Sequence, residues 1–275
     1  MSPSSGVGIG IAFAASVALI GVAALWMLFG EQRTASNPIV EVLRDAEFWR
    51  TVERTLSFTA VAIVLKAILA WLFVPFVSKP RSNVLTSVLL IPWVVPTSVA
   101  ALAWLWFFYD IDGGANLLLM LSGGRGLNWL GTSHGAFVVA IALNVWRETP
   151  LWALALAPSI SGVNASVGRL GSLDGLSRFQ HSRLIVLPRI RPVLCALALL
   201  STIWTMGEFE SIWILTRGGP GDATELVTVY AFRHAFLGQD LAFGAAAYVC
   251  LLPVMSCVLL LFFWLYRRAT ERGYL

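Results

Sequence analysis

Long apolar runs, separated by short polar islands, set the pattern of this chain. Residues 7–29, 55–77, 84–108, 135–158, 193–216 and 241–266 each reach the ~20 apolar residues that a spanning helix needs. The pattern predicts an all-α, polytopic membrane protein with about six transmembrane helices. The first run lacks the charged flank and short apolar core of a signal peptide, so it reads as a span. Pro92 and Pro96 fall inside the third run and predict kinks, because neighbouring helices in a bundle can satisfy the carbonyls that proline frees.

The islands divide by charge. Ten basic residues, Lys79, Arg81, Arg169, Arg178, Arg183, Arg189, Arg191, Arg267, Arg268 and Arg272, fall in segments on one side of such a topology. Seven fall on the other side, mixed with most of the acids. Lysine and arginine accumulate on the cytoplasmic side, which puts both termini there. Residues 31–54 then form an outside loop ending in an amphipathic lead-in, and 110–133 a glycine-rich outside loop. Residues 166–192 form an arginine-bearing inside loop. Gly218-Gly219-Pro220-Gly221 ends the fifth span with strong turn residues.

Composition removes several function classes. Hydrophobic residues make up 58% and charged residues 12% of the 275, against about 25% charged in an average soluble chain. The net charge of +4 is explained by membrane topology and implies no nucleic acid. Cys195, Cys250 and Cys257 lie in predicted spans as small apolar fillers. His134, His181 and His234 are scattered, so no metal site, catalytic triad or other catalytic residue is predicted. No Gly-Lys-Ser/Thr follows the glycine-rich loop, so the chain has no phosphate-binding loop of its own.

Polar residues inside the spans carry the candidate chemistry. Asn144, Arg147 and Glu148 are spaced i, i+3, i+4 on one helix face. Ser201, Trp204, Thr205 and Glu208 repeat that spacing in the fifth span. Ionisable residues in a membrane mark a pathway or pair with one another. These seven are the predicted substrate pathway. The structural alternative ties two helices together through Arg147 and either Glu208 or Glu210. Lys66 faces the pathway or snorkels, and the sequence does not choose. An ion-gradient-driven secondary transporter, with Lys66, Arg147, Glu148 and Glu208 as a charge relay, is the alternative function.

The 166–192 loop favours another reading. Gly175, nine intervening residues, then Ile185-x-Leu187-Pro188 resemble the loop signature of binding-protein-dependent ABC importer permeases. Asp174-Gly175 resembles the sugar-type branch. Arg169-Leu170-Gly171 depart from that family's Glu-Ala-Ala. Ile91-Pro92-Trp93 with Pro96, Asn116-Leu117-Leu118, Asn128-Trp129-Leu130 and Thr216 to Pro220 with Thr224-Glu225 are also similar to family elements. Gly218, Gly219 and Pro220 resemble the outside loop of the maltose-F-like member of a permease pair.

The resemblance implies a type I ABC importer permease of the maltose/glycerol-3-phosphate type in the plasma (inner) membrane. Residues 1–45 would hold the first span and outside loop, and 46–275 the permease core. Arg169, Gly171, Asp174, Gly175, Leu176, Arg178, Phe179, Ile185, Leu187 and Pro188 would form the ATPase-coupling loop. The implied partners are a second related permease, two ATPase subunits, an extracytoplasmic solute-binding protein, a carbohydrate-like substrate and the lipid bilayer. ATP and magnesium would bind the ATPase, with no cofactor in this chain, which is then not itself an enzyme. With one base and two acids in the polar stripe, a neutral sugar is preferred to a phosphate ester.

Overall fold

A computed structural model describes residues 37–77, 83–171, 177, 180 and 182–271. The predicted span at 7–29, Lys79, Arg81 and Arg272 lie outside these. The chain enters through α1 (Pro38–Arg44), which Asn37 caps by accepting the Ile39 amide at 3.0 Å. Pro38 suits a first turn because the hydrogen it lacks would go unused there. Asp45 breaks the helix, accepts the Glu47 amide at 2.9 Å and starts α2 (Ala46–Val77). At ~1.5 Å per residue, these 32 residues exceed the bilayer core.

The third predicted span is not one kinked helix. α3 (Asn83–Val94) and α4 (Thr97–Phe107) meet at 98°. Pro92 is absorbed within α3, but Pro96 begins a new helix. Proline drives the preceding residue, here Val95, out of helical geometry while its own fixed φ suits a helix start. The glycine-rich loop also holds a short helix, α5 (Gly114–Leu121). Its buried Asn116 is the fastener. The side-chain amide donates to the carbonyls of Asp110 and Leu127, and its oxygen accepts from the Leu127 amide and the Trp129 indole, all within 2.9 Å.

α6 (Ser133–Gly171) runs well past the predicted end at residue 158, through both Pro150 and Pro158. The neighbouring hydroxyls of Thr149 and Ser159 bond back to the carbonyls of Val145 and Ala155. A π-helical turn (Ser182–Val186) leads into α7 (Leu187–Met206). Pro188 lies in the first turn and starts the helix. The span ends at Met206, ten residues before the predicted 216, because Gly207 interrupts it. Glycine is the costliest ordinary residue in a helix interior, at about 1 kcal/mol. After Gly207 come α8 (Glu210–Leu215), α9 (Val227–Phe232), a π-helical turn (Arg233–Leu237) and α10 (Leu241–Glu271).

Among the described residues there is no strand. Ala46–Val74, Ser182–Met206 and Leu241–Arg268 are long and apolar enough to cross a membrane, and the bent α3–α4 pair is a fourth candidate. α6, with 39 residues, has the length but carries Arg147 and Glu148 at its centre. The central core joins Phe58 and Ala62 of α2, Ala101 of α4, Leu143 of α6 and Ile212 of α8. A second cluster packs Val42 and Phe48 on Ala246, Ala247 and Leu251, so α1 clasps α10.

Replacing Asn116 with Ala orphans two donors and two acceptors and should cost about 2 kcal/mol locally. Hydrogen exchange is the check. The Leu127 amide should lose protection while the amides of α2 and α10 keep theirs, and an unchanged Leu127 rate would reject the fastener role.

Candidate translocation site

Lys66 does not snorkel. It is fully buried in the middle of α2, and its Nζ donates to Glu148 Oε2 at 2.7 Å, Ser201 Oγ at 3.0 Å and Thr205 Oγ1 at 3.0 Å. Ser201 Oγ donates to the same carboxylate oxygen at 2.7 Å. All three ammonium hydrogens are used, as a buried charge requires. α2, α6 and α7 are thereby pinned at one level by residues that are at most 7% exposed.

This divides the predicted stripe. Glu148, Ser201 and Thr205 are taken up by Lys66. Asn144, Arg147 and Glu208 form a second, looser group. Glu208 lies just past the break at Gly207, where its Oε2 is 3.4 Å from Asn144 Nδ2 and 4.0 Å from an Arg147 guanidinium nitrogen. Its Oε1 accepts the amide and hydroxyl of Ser211 at 3.2 and 2.8 Å. Arg147 therefore faces Glu208 and not Glu210, which is exposed. Asn144 Oδ1 and Arg147 Nε are buried with no protein partner among the described residues. Trp204 points elsewhere than Ser201 and Thr205, with 43% of its surface exposed.

The bundle end that holds the Gly-Gly-Pro loop carries a network that the sequence did not reveal. Arg233 donates to Asp222 and Glu225, each at 2.7 Å, and Glu47 accepts from Arg50 and Arg54. Carboxylate oxygens of Glu47, Asp222 and Glu225 lie within 4.8 Å of one another, and these arginines answer their charge. Burial pushes the Glu225 carboxyl above its usual range, against the pull of Arg233. Burial, then a hydrogen bond to Asp45, pushes the Tyr230 phenol up. Burial lowers His234, whose ring lies against Tyr230 and Phe243. Glu225 was noted only within a motif, and nothing in its spacing signals Arg233 as its partner.

The Gly-Gly-Pro loop lies beside this network. Gly218 has φ +93°, which favours glycine. Thr216 and Thr224 hydroxyls meet at 2.6 Å, and Thr224 also donates to the Gly219 carbonyl at 2.9 Å. The Val227 amide donates to Thr55 Oγ1 at 3.0 Å, which ties the loop to α2.

Of the predicted coupling loop, Asp174, Gly175, Leu176, Arg178 and Phe179 lie outside the described residues. Arg169 and Gly171 close the backbone of α6. Ile185, Leu187 and Pro188 are half-buried. Between and after them, Val186 and Ile190 are buried in a cluster with Trp152 and Leu156 of α6. The second half of the motif is thus anchored to the middle of α6, just past Glu148.

Residues 67–272 match the model of the binding-protein-dependent transport system inner membrane component. The chain belongs to this family. It is 33% identical over 226 residues, 82% of this chain and 75% of the relative, to the trehalose/maltose transport system permease protein MalF of Thermococcus litoralis. Two crystal structures share the fold at 18% identity. One is of a bacterial ABC transporter involved in the import of the acidic polysaccharide alginate, with TM-score 0.76 over 96% of both chains. The other is of a bacterial alginate ABC transporter in complex with an alginate pentasaccharide-bound periplasmic protein, with TM-score 0.74 over 96% of this chain and 97% of that one.

The binding-protein-dependent family makes this chain a multi-pass inner-membrane permease subunit of an ABC importer, not an ion-gradient transporter. In this permease the Lys66–Glu148 pair should obey the rule for buried ions. Lys66→Met alone strands Glu148 and should cost about 3–5 kcal/mol, whereas Lys66→Met with Glu148→Leu should cost clearly less than the two single changes summed. Thermal unfolding of the detergent-purified permease measures this. Additive losses would mean that the pair does not act as a unit.

Proposed function

We propose that this permease imports a neutral carbohydrate, using Asn144, Arg147, Glu208 and Trp204 as its contact set. The observation that carries this is the unpartnered Asn144 Oδ1 and Arg147 Nε beside Glu208. A sugar hydroxyl both donates and accepts, so it can use the Asn144 acceptor and the Arg147 donor together. The exposed Trp204 indole offers a flat apolar face of the kind that sugar rings pack against. Charge supports a neutral ligand, because Lys66 and Arg147 are balanced by Glu148 and Glu208. Relatives named for trehalose/maltose and alginate transport are consistent with a carbohydrate.

In this reading a second related permease completes the pathway and an extracytoplasmic binding protein delivers the solute. Two ATPase subunits hold ATP and magnesium, with no cofactor in this chain. The termini and the 166–192 loop are cytoplasmic, and Asp174, Gly175, Ile185, Leu187 and Pro188 engage the ATPase. Val186 and Ile190, packed on α6, pass that motion to the helix bearing Asn144, Arg147 and Glu148.

Uptake of labelled trehalose and maltose by proteoliposomes holding the co-purified complex tests the reading. Asn144→Ala and Glu208→Gln should each cut ATP-driven uptake by about tenfold, the worth of one strong hydrogen bond. Asp174→Arg with Gly175→Trp should abolish uptake in a complex that still assembles. Uptake stopped by a protonophore and not by ATP depletion would overturn the proposal.

A further inference from the structure

An open groove of about 700 Å³ lies between α2 and the start of α7, away from the charge network. Its walls are apolar. Ile68 and Leu72, one turn apart on α2, are 52% and 58% exposed, and Leu194 faces them from α7. Arg183 and Ser182 of the π-helical turn, Leu187 of α7 and Trp71 of α2 complete its lining. Arg183 is exposed and forms no ion pair among the described residues.

A second groove gives the contrast. The cavity of about 480 Å³ between α2, α3 and α6 has no charged lining residue. Any lipid tail fills such a surface without regard to its headgroup. An apolar slot with a guanidinium at one end discriminates, because that group binds phosphate through paired N–H donors. Tryptophan beside it matches the preference of indole for the interface between tail and headgroup. Phe262 of α10 packs against the cluster that holds Val186, which puts Arg183 towards the α10 end that carries Arg267 and Arg268.

We propose that this groove binds an anionic glycerophospholipid, with an acyl chain along Ile68, Leu72 and Leu194 and the phosphate on Arg183. Basic pockets between helices at the membrane surface recognise anionic lipid in this manner. The leaflet is the one at the arginine-bearing end, cytoplasmic in the topology proposed above. The groove neither touches Asn144, Arg147 or Glu208 nor depends on the identity of the solute.

The experiment uses the tagged permease purified with its co-assembling subunits and reconstituted in phosphatidylcholine. The bilayer carries a minor share of phosphatidylglycerol with a photoreactive acyl chain, and labelled peptides are mapped by mass spectrometry. Label should concentrate in residues 67–72 and 187–194, and unlabelled phosphatidylglycerol should suppress it where phosphatidylcholine does not. Arg183→Gln should reduce that label about fivefold, the factor one basic residue near an anionic surface supplies, and Arg183→Lys should retain most of it. Ile68→Trp, which fills the slot, should remove the label there but not on α10. Equal competition by phosphatidylcholine, or no labelling of the two segments in the assembled complex, would overturn the proposal. The competition on the unaltered chain decides even where Arg183→Gln fails to assemble.

Discussion

A lysine in the middle of a membrane helix is tolerable only with every hydrogen directed at an oxygen, and the rest of this structure is arranged around that constraint. Lys66 on α2 needs Glu148 from α6 and both Ser201 and Thr205 from α7, so three long helices meet at one level in one rotation. Apolar packing alone would leave them free to slide, since lipid tails are as apolar as leucine and provide no hydrophobic drive between helices. The pair contributes register more than net stability, because removing two ions from water offsets most of their attraction. It also explains why α2, α6 and α7 tolerate polar residues that would be costly facing lipid.

With Glu148 committed to Lys66, Arg147 is left with the carboxylate of Glu208, at the longer distance of 4.0 Å. One charge pair is closed and fully hydrogen-bonded, while the other is loose and flanked by an open acceptor and an open donor. The proposed ligand contacts fall in the second group and leave the first intact. The bundle's frame and its proposed contact set are therefore adjacent on α6 yet separable in chemistry.

Much of this was legible in the sequence, and its limits are physical. Hydropathy marked the long apolar helices α2, α7 and α10 because a bilayer demands ~20 apolar residues whatever the tertiary structure. Helix ends were less legible, since proline signals both stops and starts: Pro96 and Pro188 begin helices, while Pro150 and Pro158 interrupt nothing. Spacing put Asn144, Arg147 and Glu148 on one face but carries no information about partners on other helices. Lys66 with Glu148, Arg233 with Asp222 and Glu225, and the four bonds of Asn116 are pairings across loops or helices, so periodicity could not give them. Trp204 shows the converse, since even helical spacing did not make it share the buried environment of Ser201 and Thr205.

The break at Gly207 ties the centre of the bundle to its outer surface. Had α7 continued to 216, Glu208 would lie one turn beyond Trp204 on the same rod. Because the helix stops, the Glu208 carboxylate instead caps the Ser211 amide, and its carbonyl accepts the Thr228 hydroxyl at 2.5 Å. Thr228 belongs to α9, which leads into the turn bearing Arg233 and thus to Asp222, Glu225 and the Gly-Gly-Pro loop. The preceding residue, Val227, is held to Thr55 of α2. Glu208 accordingly contacts both α9, through Thr228, and the α6 polar face, through Asn144 and Arg147. α8, between Glu208 and the Gly-Gly-Pro loop, is held in place by Ile212 and Leu215, which are buried in the central core.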